Sequence, residues 1–163
     1  VATAAGCQLV ASSDLAVAGA SARFATPGVN IGLFCTTPMV ALTRSVAPKA
    51  AMELLLTGEL ISADEALRIG LVNRVVARAE LESETYALAE RVAKQPRMGL
   101  ALTKQAINHV EDLQGKRTAM DAVFAWHHFA HAHNELLSGD KLGGYDAKAM
   151  ASANKQAAGG DKA

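Results

Sequence analysis

The sequence predicts an α/β fold in which short strands come first and helices make up most of the remaining chain. Up to Thr37, apolar residues form short runs interrupted by glycine and serine, which is typical of brief strands. After Thr37, apolar residues recur at helical spacing between proline and glycine residues that mark helix ends. The 163 residues are 50% hydrophobic and 20% charged, which favours one compact domain with a buried core.

Short strands are predicted in the N-terminal part of the chain. Residues 1–3 match the end of a strand, and residues 15–18 and 23–25 form apolar or alternating runs. Gly19 and Ser21 separate the last two runs, and both residue types are common in turns. We therefore expect two brief strands around a turn, preceded by a strand end.

One helix and one loop are predicted before Thr37. The small and apolar residues 5–13 predict a buried helix that is entered through Gly6. Pro27, Gly28 and Gly32 come close together and predict a loop that leads into the helical part of the chain.

Two consecutive helices are predicted after this loop. Thr37 offers a hydroxyl cap and Pro38 takes the first helical position, where its missing N–H costs nothing. This helix should end before Pro48, which is expected to begin the next one. That second helix should run to Leu56 and end at Gly58. Its apolar residues at helical spacing are Met52, Leu55 and Leu56.

The segment that follows combines a helix with a strand. Ser62 and Glu65 have the spacing of a capping box, in which each residue satisfies a free N–H at the start of a helix. Gly70 is expected to close this short helix. Residues 74–77 then form a short strand candidate.

The C-terminal part is predicted to be helical. One face of a surface helix is traced by Leu81, Leu88, Ala89 and Val92. Residues 98–110 and 120–137 give two further helices. From Ala147 onward the chain is alanine-rich and polar, and we expect it to fray after Gly159.

Charge and cysteine content exclude several function classes. Sixteen basic residues balance sixteen acidic ones, so no overall field attracts nucleic acid or an anionic membrane surface. No apolar run is long enough to span a bilayer. Cys7 and Cys35 are too few for a disulfide framework, and the sequence shows no targeting segment, so we expect a reducing, cytoplasmic setting.

Residues 4–32 carry the most specific motif of the chain. They read AAGCQLVASSDLAVAGASARFATPGVNIG, and this segment resembles the core signature of the crotonase superfamily, the enoyl-CoA hydratases and isomerases. The phrase CQLVAS favours the enoyl-CoA hydratase domain-containing proteins, a subgroup whose members also lack the catalytic glutamates.

The resemblance implies a crotonase-like α/β spiral of β-β-α units followed by a helical C-terminal region. It corresponds to the C-terminal part of such a domain, so we expect the N-terminal part to be absent from this chain. Residues 1–115 would then be the later portion of the spiral core, and residues 116–163 the helical region.

The resemblance also implies chemistry on CoA thioesters, in which two backbone N–H groups bind the developing enolate oxygen. Ala5 falls at one of these donor positions, and Gly6 follows it. An alanine keeps its N–H, so this donor is retained. The other donor of the family comes from a loop upstream of the matching segment.

The acidic positions of the family carry other residues here. Hydration needs a group that transfers protons, yet Gln8 cannot exchange a proton near neutral pH and Gly28 has no side chain. Thr36 stands where some members carry an aspartate. We expect Gln8, Gly28, Leu33 and Thr36 to line the substrate pocket without a catalytic acid among them, and Asp14 to be structural.

Two sharper hypotheses compete with simpler interpretations. Cys35 has the chemistry of a nucleophile, but a single buried thiol more often behaves as a small apolar residue. His127 and His131 have the spacing of metal ligands, but the pattern offers no third ligand, so we expect no metal site. The histidines, with Trp126 and Phe129, would instead form an amphipathic face against another helix or subunit.

The resemblance implies an acyl-CoA or enoyl-CoA ligand, with CoA as part of the substrate and no other cofactor. Tyr145 and Lys148 weakly match the aromatic and basic residues that cover CoA near the family's C terminus. Members commonly form trimers or hexamers. Three hypotheses follow: an enzyme whose base lies outside this chain or whose water is held by Gln8, a non-catalytic acyl-CoA binder, and an oligomer-forming structural module.

Overall fold

The computed structural model describes residues 1–140 and 146–159. Short strands alternate with helices in the first half of this part, and long helices follow. In chain order the elements are β1 (Ala2–Thr3), α1 (Ala5–Ser12), β2 (Val17–Gly19), β3 (Arg23–Ala25), a 3-10 helix (Pro27–Ile31), α2 (Thr36–Ser45), α3 (Pro48–Thr57), β4 (Ile61–Ser62), α4 (Ala63–Arg68), β5 (Arg74–Val76), a second 3-10 helix (Arg78–Glu80), α5 (Leu81–Ala93), α6 (Arg97–Leu113), α7 (Lys116–Ser138) and α8 (Ala147–Gly159).

The strands of the described residues form two small sheets. β3 is the central strand of one sheet, with β1 parallel on one side and β4 antiparallel on the other, so that Phe24 lies opposite both Ala2 and Ile61. β2 pairs in parallel with β5 in the other sheet. The strands predicted at residues 15–18 and 23–25 therefore exist, but they belong to different sheets and do not pair with each other.

The core lies between the first sheet and helices α1 to α4. Large side chains such as Phe24, Leu42 and Leu54 are buried there, and Ala51 and Ala63 are fully enclosed. Burying a leucine side chain contributes about 2 kcal/mol. Because alanine has a small side chain, it lets neighbouring backbones approach closely, and these two residues bring α3 and α4 against the core.

Three predictions about the first helices are corrected. The helix predicted at residues 5–13 is buried on one side only, since Cys7 is buried whereas Leu9 is 72% exposed. It is entered through Ala4, whose φ of 48° is positive, and not through Gly6. The predicted loop is the 3-10 helix Pro27–Ile31, which ends at Gly32 with a left-handed φ of 68°.

The next two helices begin and end close to the predicted positions, but details differ. α2 begins at Thr36 with Cys35 as its N-cap, so Thr37 is not the cap. α3 ends at Gly58 as predicted, with a φ of 64° that favours glycine. Its buried residues are Ala51 and Leu54, while the predicted Met52 and Leu56 are exposed.

The helix start predicted at α4 is confirmed, but only the Ser62 half of the capping box is formed. The hydroxyl of Ser62 accepts a hydrogen bond from the N–H of Glu65 at 3.1 Å, as the sequence predicts. The Glu65 carboxylate turns to Arg68, which donates to it at 2.7 Å and 2.5 Å. The strand predicted at residues 74–77 is confirmed as β5.

The C-terminal helices are longer than predicted and more exposed. The helices predicted at residues 98–110 and 120–137 are α6 and α7, and Val123 is the buried residue that anchors α7. Of the four residues predicted to form the apolar face of α5, Ala89 and Val92 are exposed, so only half of that face is partly buried. The alanine-rich segment forms α8, and the fraying predicted after Gly159 lies outside the described residues. In the part of the chain that the structure describes, no helix is long and apolar enough to cross a membrane.

Candidate functional site

Two helices begin side by side at the candidate site. α1 and α2 run in parallel, because Thr37 contacts Gln8 near their N-terminal ends and Ser45 donates to the carbonyl of Ala11 near their C-terminal ends, at 2.7 Å. The N-terminal end of a helix carries a partial positive charge. The two ends together therefore favour negative charge at this place.

Ala4 turns the chain sharply into α1. Its φ of 48° and ψ of −114° lie in a region that side chains disfavour. Its N–H donates to the carbonyl of Ala25 at 3.0 Å, and its own carbonyl accepts from the N–H of Gln8 at 3.0 Å. The first N–H groups of a helix have no partner within the helix, so those of Ala5 and Gly6 lie at an end where an external oxygen can accept from them.

Gln8 is held by the neighbouring helix. The hydroxyl of Thr37 donates to Oε1 of Gln8 at 2.8 Å, and both residues are partly buried. This contact explains why Thr37 does not cap α2, since its hydroxyl is used across the helix pair. The side-chain amide of Gln8 is thus fixed beside the N-terminal end of α2, where it can donate a hydrogen bond but cannot deliver a proton.

The structure leaves no space for a side chain at Gly28. A Cβ atom built on Gly28 would lie 2.6 Å from both the backbone nitrogen of Cys35 and the carbonyl carbon of Phe34. The N–H of Gly28 donates to Sγ of Cys35 at 3.3 Å, and its carbonyl accepts from the N–H of Leu33 at 3.1 Å. The backbone of Phe34 and Cys35 therefore occupies the space that any side chain at this position would need.

The two cysteines near this site are buried thiols. Burial raises the pKa of Cys35 above its usual value, against a smaller lowering by the N–H of Gly28. Burial, and secondly the nearby Cys35, raises the pKa of Cys7 to about 11. Because the thiolate is the reactive form, both groups are unreactive near neutral pH, which counts against the nucleophile hypothesis.

His127 is a functional candidate that the sequence did not place at this site. Its Nδ1 lies 2.9 Å from Oγ1 of Thr36, because α7 packs across the beginning of α2. The pKa of His127 is lowered by partial burial, and secondly by His131 and His128. In the sequence, the spacing of Val123, His127 and His131 predicts that they share one face of a helix. The spacing does not show which other helix this face contacts.

The metal hypothesis gains no support from the part of the chain that the structure describes. His127 and His131 approach each other edge to face at 4.6 Å between ring centroids. However, the described residues contain no group of three or more histidine, cysteine, aspartate or glutamate side chains that could hold a metal ion. Asp14, predicted to be structural, pairs with Lys104 at the surface.

The predicted CoA contacts are only partly visible. Tyr145 lies outside the described residues. Lys148 is exposed on α8, and its N–H donates to Oδ1 of Asp146 at 2.8 Å at the start of that helix. α8 contacts the 3-10 helix that contains Gly28, so Lys148 belongs to an element beside the candidate site.

Two concave surfaces lie away from the candidate site. An open groove of about 910 Å³ follows α6 beside the end of α5, and a smaller polar cavity of about 250 Å³ lies at the C-terminal end of α1. Neither is lined by Gln8, Gly28, Leu33 or Thr36. These two concave surfaces are therefore separate from the residues predicted to line the substrate pocket.

Comparison with known proteins identifies a family. A family model described as enoyl-CoA hydratase/isomerase matches residues 1–150. The mitochondrial enoyl-CoA hydratase domain-containing protein 3 of Mus musculus is 58% identical over 104 residues, which are 64% of this chain and 35% of that protein. Its counterpart from Danio rerio is 56% identical over 108 residues, 66% of this chain and 37% of that protein. The chain thus spans about a third of the length of these relatives.

Solved structures support the same assignment. Human enoyl Coenzyme A hydratase domain-containing protein 3 aligns with 83% of this chain and 51% of its own, at 47% identity and a TM-score of 0.64. A probable enoyl-CoA hydratase from Mycobacterium smegmatis aligns with 89% of this chain and 58% of its own, at 35% identity and a TM-score of 0.79. The predicted crotonase-like α/β fold is confirmed by these similarities.

The predicted cytoplasmic setting is wrong. The relatives from mouse, rat, zebrafish and human that are 56–58% identical to this chain are all named as mitochondrial proteins. The prediction relied on the two cysteines and on the sequence at the start of the chain, and neither feature distinguishes the two compartments.

Proposed function

The chain belongs to the enoyl-CoA hydratase/isomerase family, and from that premise we propose that it binds CoA thioesters at the N-terminal ends of α1 and α2. The thioester carbonyl oxygen would accept a hydrogen bond from the N–H of Ala5, with Gly6 next to it. CoA enters as part of the ligand, and no separate cofactor is needed for this role.

The observation that carries the proposal is the parallel arrangement of the two helices. Both helix ends favour negative charge, and the sharp turn at Ala4 leaves the N–H of Ala5 at an exposed position. A thioester oxygen gains negative charge when the adjacent carbon loses a proton. Preorganised donors aimed at such an oxygen typically contribute about 3 kcal/mol to its stabilisation.

The site does not support hydration by two carboxylates. Gln8 is held in place by Thr37 and offers only an amide, and Gly28 has no space for a side chain. Gln8 is suited to hold a water or a polar group of the ligand by hydrogen bonding. Binding of the thioester is therefore the core of the proposal, and turnover needs a further proton-transferring group.

An experiment can remove the proposed donor without removing the helix. Ala5 is the first residue of α1, where proline is tolerated because its N–H is not used within the helix. In the intact protein that contains this chain, Ala5→Pro should weaken butyryl-CoA binding by up to about tenfold in calorimetry, because the hydrogen bond from the Ala5 N–H to the neutral thioester oxygen is lost. Ala5→Gly keeps the N–H and should bind normally.

Two outcomes would refute the proposal. One is that the unmodified protein gives no heat with butyryl-CoA. The other is that Ala5→Pro binds as tightly as Ala5→Gly although thermal melts show both variants folded. Free CoA and butyrate, measured separately, show whether the thioester linkage itself is recognised.

We also propose that the protein forms a trimer or hexamer through its C-terminal helices. The supporting observation is the large exposed apolar side chains of α6 and α7, among them Met98, Phe124 and Phe129. Exposed apolar area of this kind is typical of interaction surfaces. Light scattering that shows a monomer for the intact protein would contradict this proposal.

A further inference from the structure

Thr36 and His127 form a hydrogen-bonded pair beside the proposed thioester site. Thr36 is the first residue of α2, and the next residue, Thr37, contacts Gln8. His127 comes from α7, and its Nδ1 lies 2.9 Å from the hydroxyl of Thr36. A titratable group thus reaches the end of the site from a part of the chain far away in sequence.

α7 contacts the rest of the domain at three positions along its length. Val123, one turn before His127, is buried against the domain and only 3% exposed. Asn134, about two turns after His127, donates from Nδ2 to the carbonyl of Gly32 at 2.9 Å. His127 is therefore held between two anchored positions and not on a free helix end.

We propose that Thr36 is the group that exchanges protons with the bound thioester, and that His127 acts through Thr36 as its proton acceptor and donor. The inference rests on the proposed thioester site and adds to it the proton-transferring group that the missing carboxylates would otherwise supply. A single such pair suits a shift of a double bond, in which one proton leaves and one proton returns, better than the addition of water.

The step balances without any other reactant. Oγ1 of Thr36 accepts a proton from C2 of a 3-enoyl-CoA as that C–H bond breaks, and passes its own hydroxyl proton to Nδ1 of His127. The electron pair spreads over a dienolate whose thioester oxygen is stabilised by the N–H of Ala5. His127 then returns its proton through Thr36 to C4, where the new C–H bond forms and the 2-enoyl-CoA results.

The electrostatic surroundings favour the neutral imidazole that this role requires. On α7, His131 and His128 are the neighbours that lower the pKa of His127, after partial burial. The charged and titratable residues of the helices packed against α7 are Arg44 on α2 and Arg97, Lys104, His109, Glu111 and Asp112 on α6. Glu111 and Asp112 pair with Lys116 and Arg117 at the start of α7, and Lys104 pairs with Asp14. These pairs do not involve His127.

Exchange of the C2 protons of butyryl-CoA in D₂O tests the proposal directly. It requires proton removal alone, and mass spectrometry measures the deuterium taken up. In the intact protein, Thr36→Val and His127→Asn should each slow exchange by about 10² or more, the usual contribution of a general acid-base group. Thr36→Ser restores a hydroxyl and should recover most of the rate. His109→Asn, at an exposed histidine of α6, is the matched control and should exchange normally.

The pH dependence separates proton transfer from a structural role. The exchange rate of the unmodified protein should rise with pH as His127 loses its proton, and this dependence should vanish in His127→Asn, which keeps a hydrogen-bonding group but does not titrate. Calorimetry with butyryl-CoA should show that all four variants bind the ester.

The possible results lead to distinct conclusions. Binding of the ester together with no exchange, or with exchange that Thr36→Val and His127→Asn leave unchanged, would overturn this inference alone. An acyl group found covalently attached to Thr36 would overturn it as well, because Thr36 would then be a nucleophile. Loss of ester binding by the unmodified protein would overturn the proposed function and this inference together.

Discussion

The first 76 residues and the three helices from α5 to α7 differ in how they use apolar side chains. Residues 1–76 contain most of the core, including Leu42 and the enclosed alanines between helices. By contrast α5 and α6, both fully described, contain no fully buried residue, and α7 contains only Val123. The same kinds of residues therefore have structural roles in one region and remain exposed in the other.

The two regions hold the residues of the candidate site in different ways. Gln8 and Gly28 are fixed by the packed region, through Thr37 and through the backbone of residues 33–35. His127 comes from the exposed region and reaches the site through one contact surface between α7 and α2. Equivalent substitutions placed in the two regions can test the difference.

The largest effect is expected from a glutamate at Gly28. The new side chain would collide with backbone atoms at 2.6 Å and would bring a charge into a buried position. We expect a loss of at least about 4 kcal/mol in the free energy of unfolding, measured by urea denaturation. The same change at Gly99 on α6, where a Cβ meets nothing within 4 Å, should leave stability unchanged or raise it. A well-folded Gly28→Glu protein would show that the backbone of Phe34 and Cys35 can move aside.

A smaller effect is expected from truncating a leucine. Leu42 is fully buried, so Leu42→Ala should cost about 3 kcal/mol through lost burial and the cavity that remains. Leu102 on α6 is 56% exposed, and Leu102→Ala should change stability by less than about 0.5 kcal/mol. If Leu102→Ala proved equally costly in the intact protein, α6 would be covered there by other parts of the molecule.

Glycine substitutions should have opposite signs in the two regions. Ala4 has a positive φ, which a side chain disfavours. Ala4→Gly removes that side chain and should stabilise the protein by roughly 1 kcal/mol. Ala101→Gly lies in the exposed middle of α6 and should destabilise it by about 1 kcal/mol. Thermal melts of both variants decide the point, and destabilisation by Ala4→Gly would mean that Ala4 is not strained.

The smallest effect concerns pH. The pKa of His127 in the folded protein is lowered from its ordinary value of 6.5, so the unfolded chain takes up the proton first as the pH falls. The stability linked to His127 is therefore present above pH 6.5 and is lost as the pH falls through the lowered pKa. His127→Asn should reduce the loss of stability in acid, measured as urea midpoints between neutral and acidic pH. An unchanged pH dependence would show that the surroundings of His127 do not disfavour its charge.

Local signals in the sequence predicted most of the helices and strands. Ser62 and Gly58 act within a few residues of their own position, so their roles could be read directly from spacing. The division of the chain at residue 115 stays a prediction. The exposed position of Met52 was missed because a periodic pattern does not show which side of a helix meets the core.

The candidate site was predictable in part and for a physical reason. Ala5 and Gln8 belong to a continuous motif, so their position at the start of one helix followed from the sequence. The bond between Thr37 and Gln8 and the contact between Thr36 and His127 join residues distant in sequence. Such contacts depend on how α1, α2 and α7 pack, and a single sequence carries no local signal for that packing.

The central position of β3 also sets the order in which the site can assemble as the chain leaves the ribosome. The N–H of Ala4 needs the carbonyl of Ala25, and the hydroxyl of Thr26 needs the carbonyl of Leu54. The other edge of β3 is completed only by Ile61 in β4. A nascent chain that has exposed only residues 1–45 contains β1 and β3 but lacks Leu54 and β4, which complete the contacts of β3. The proposed thioester site therefore becomes fixed only after synthesis has passed β4, and His127 joins it later still.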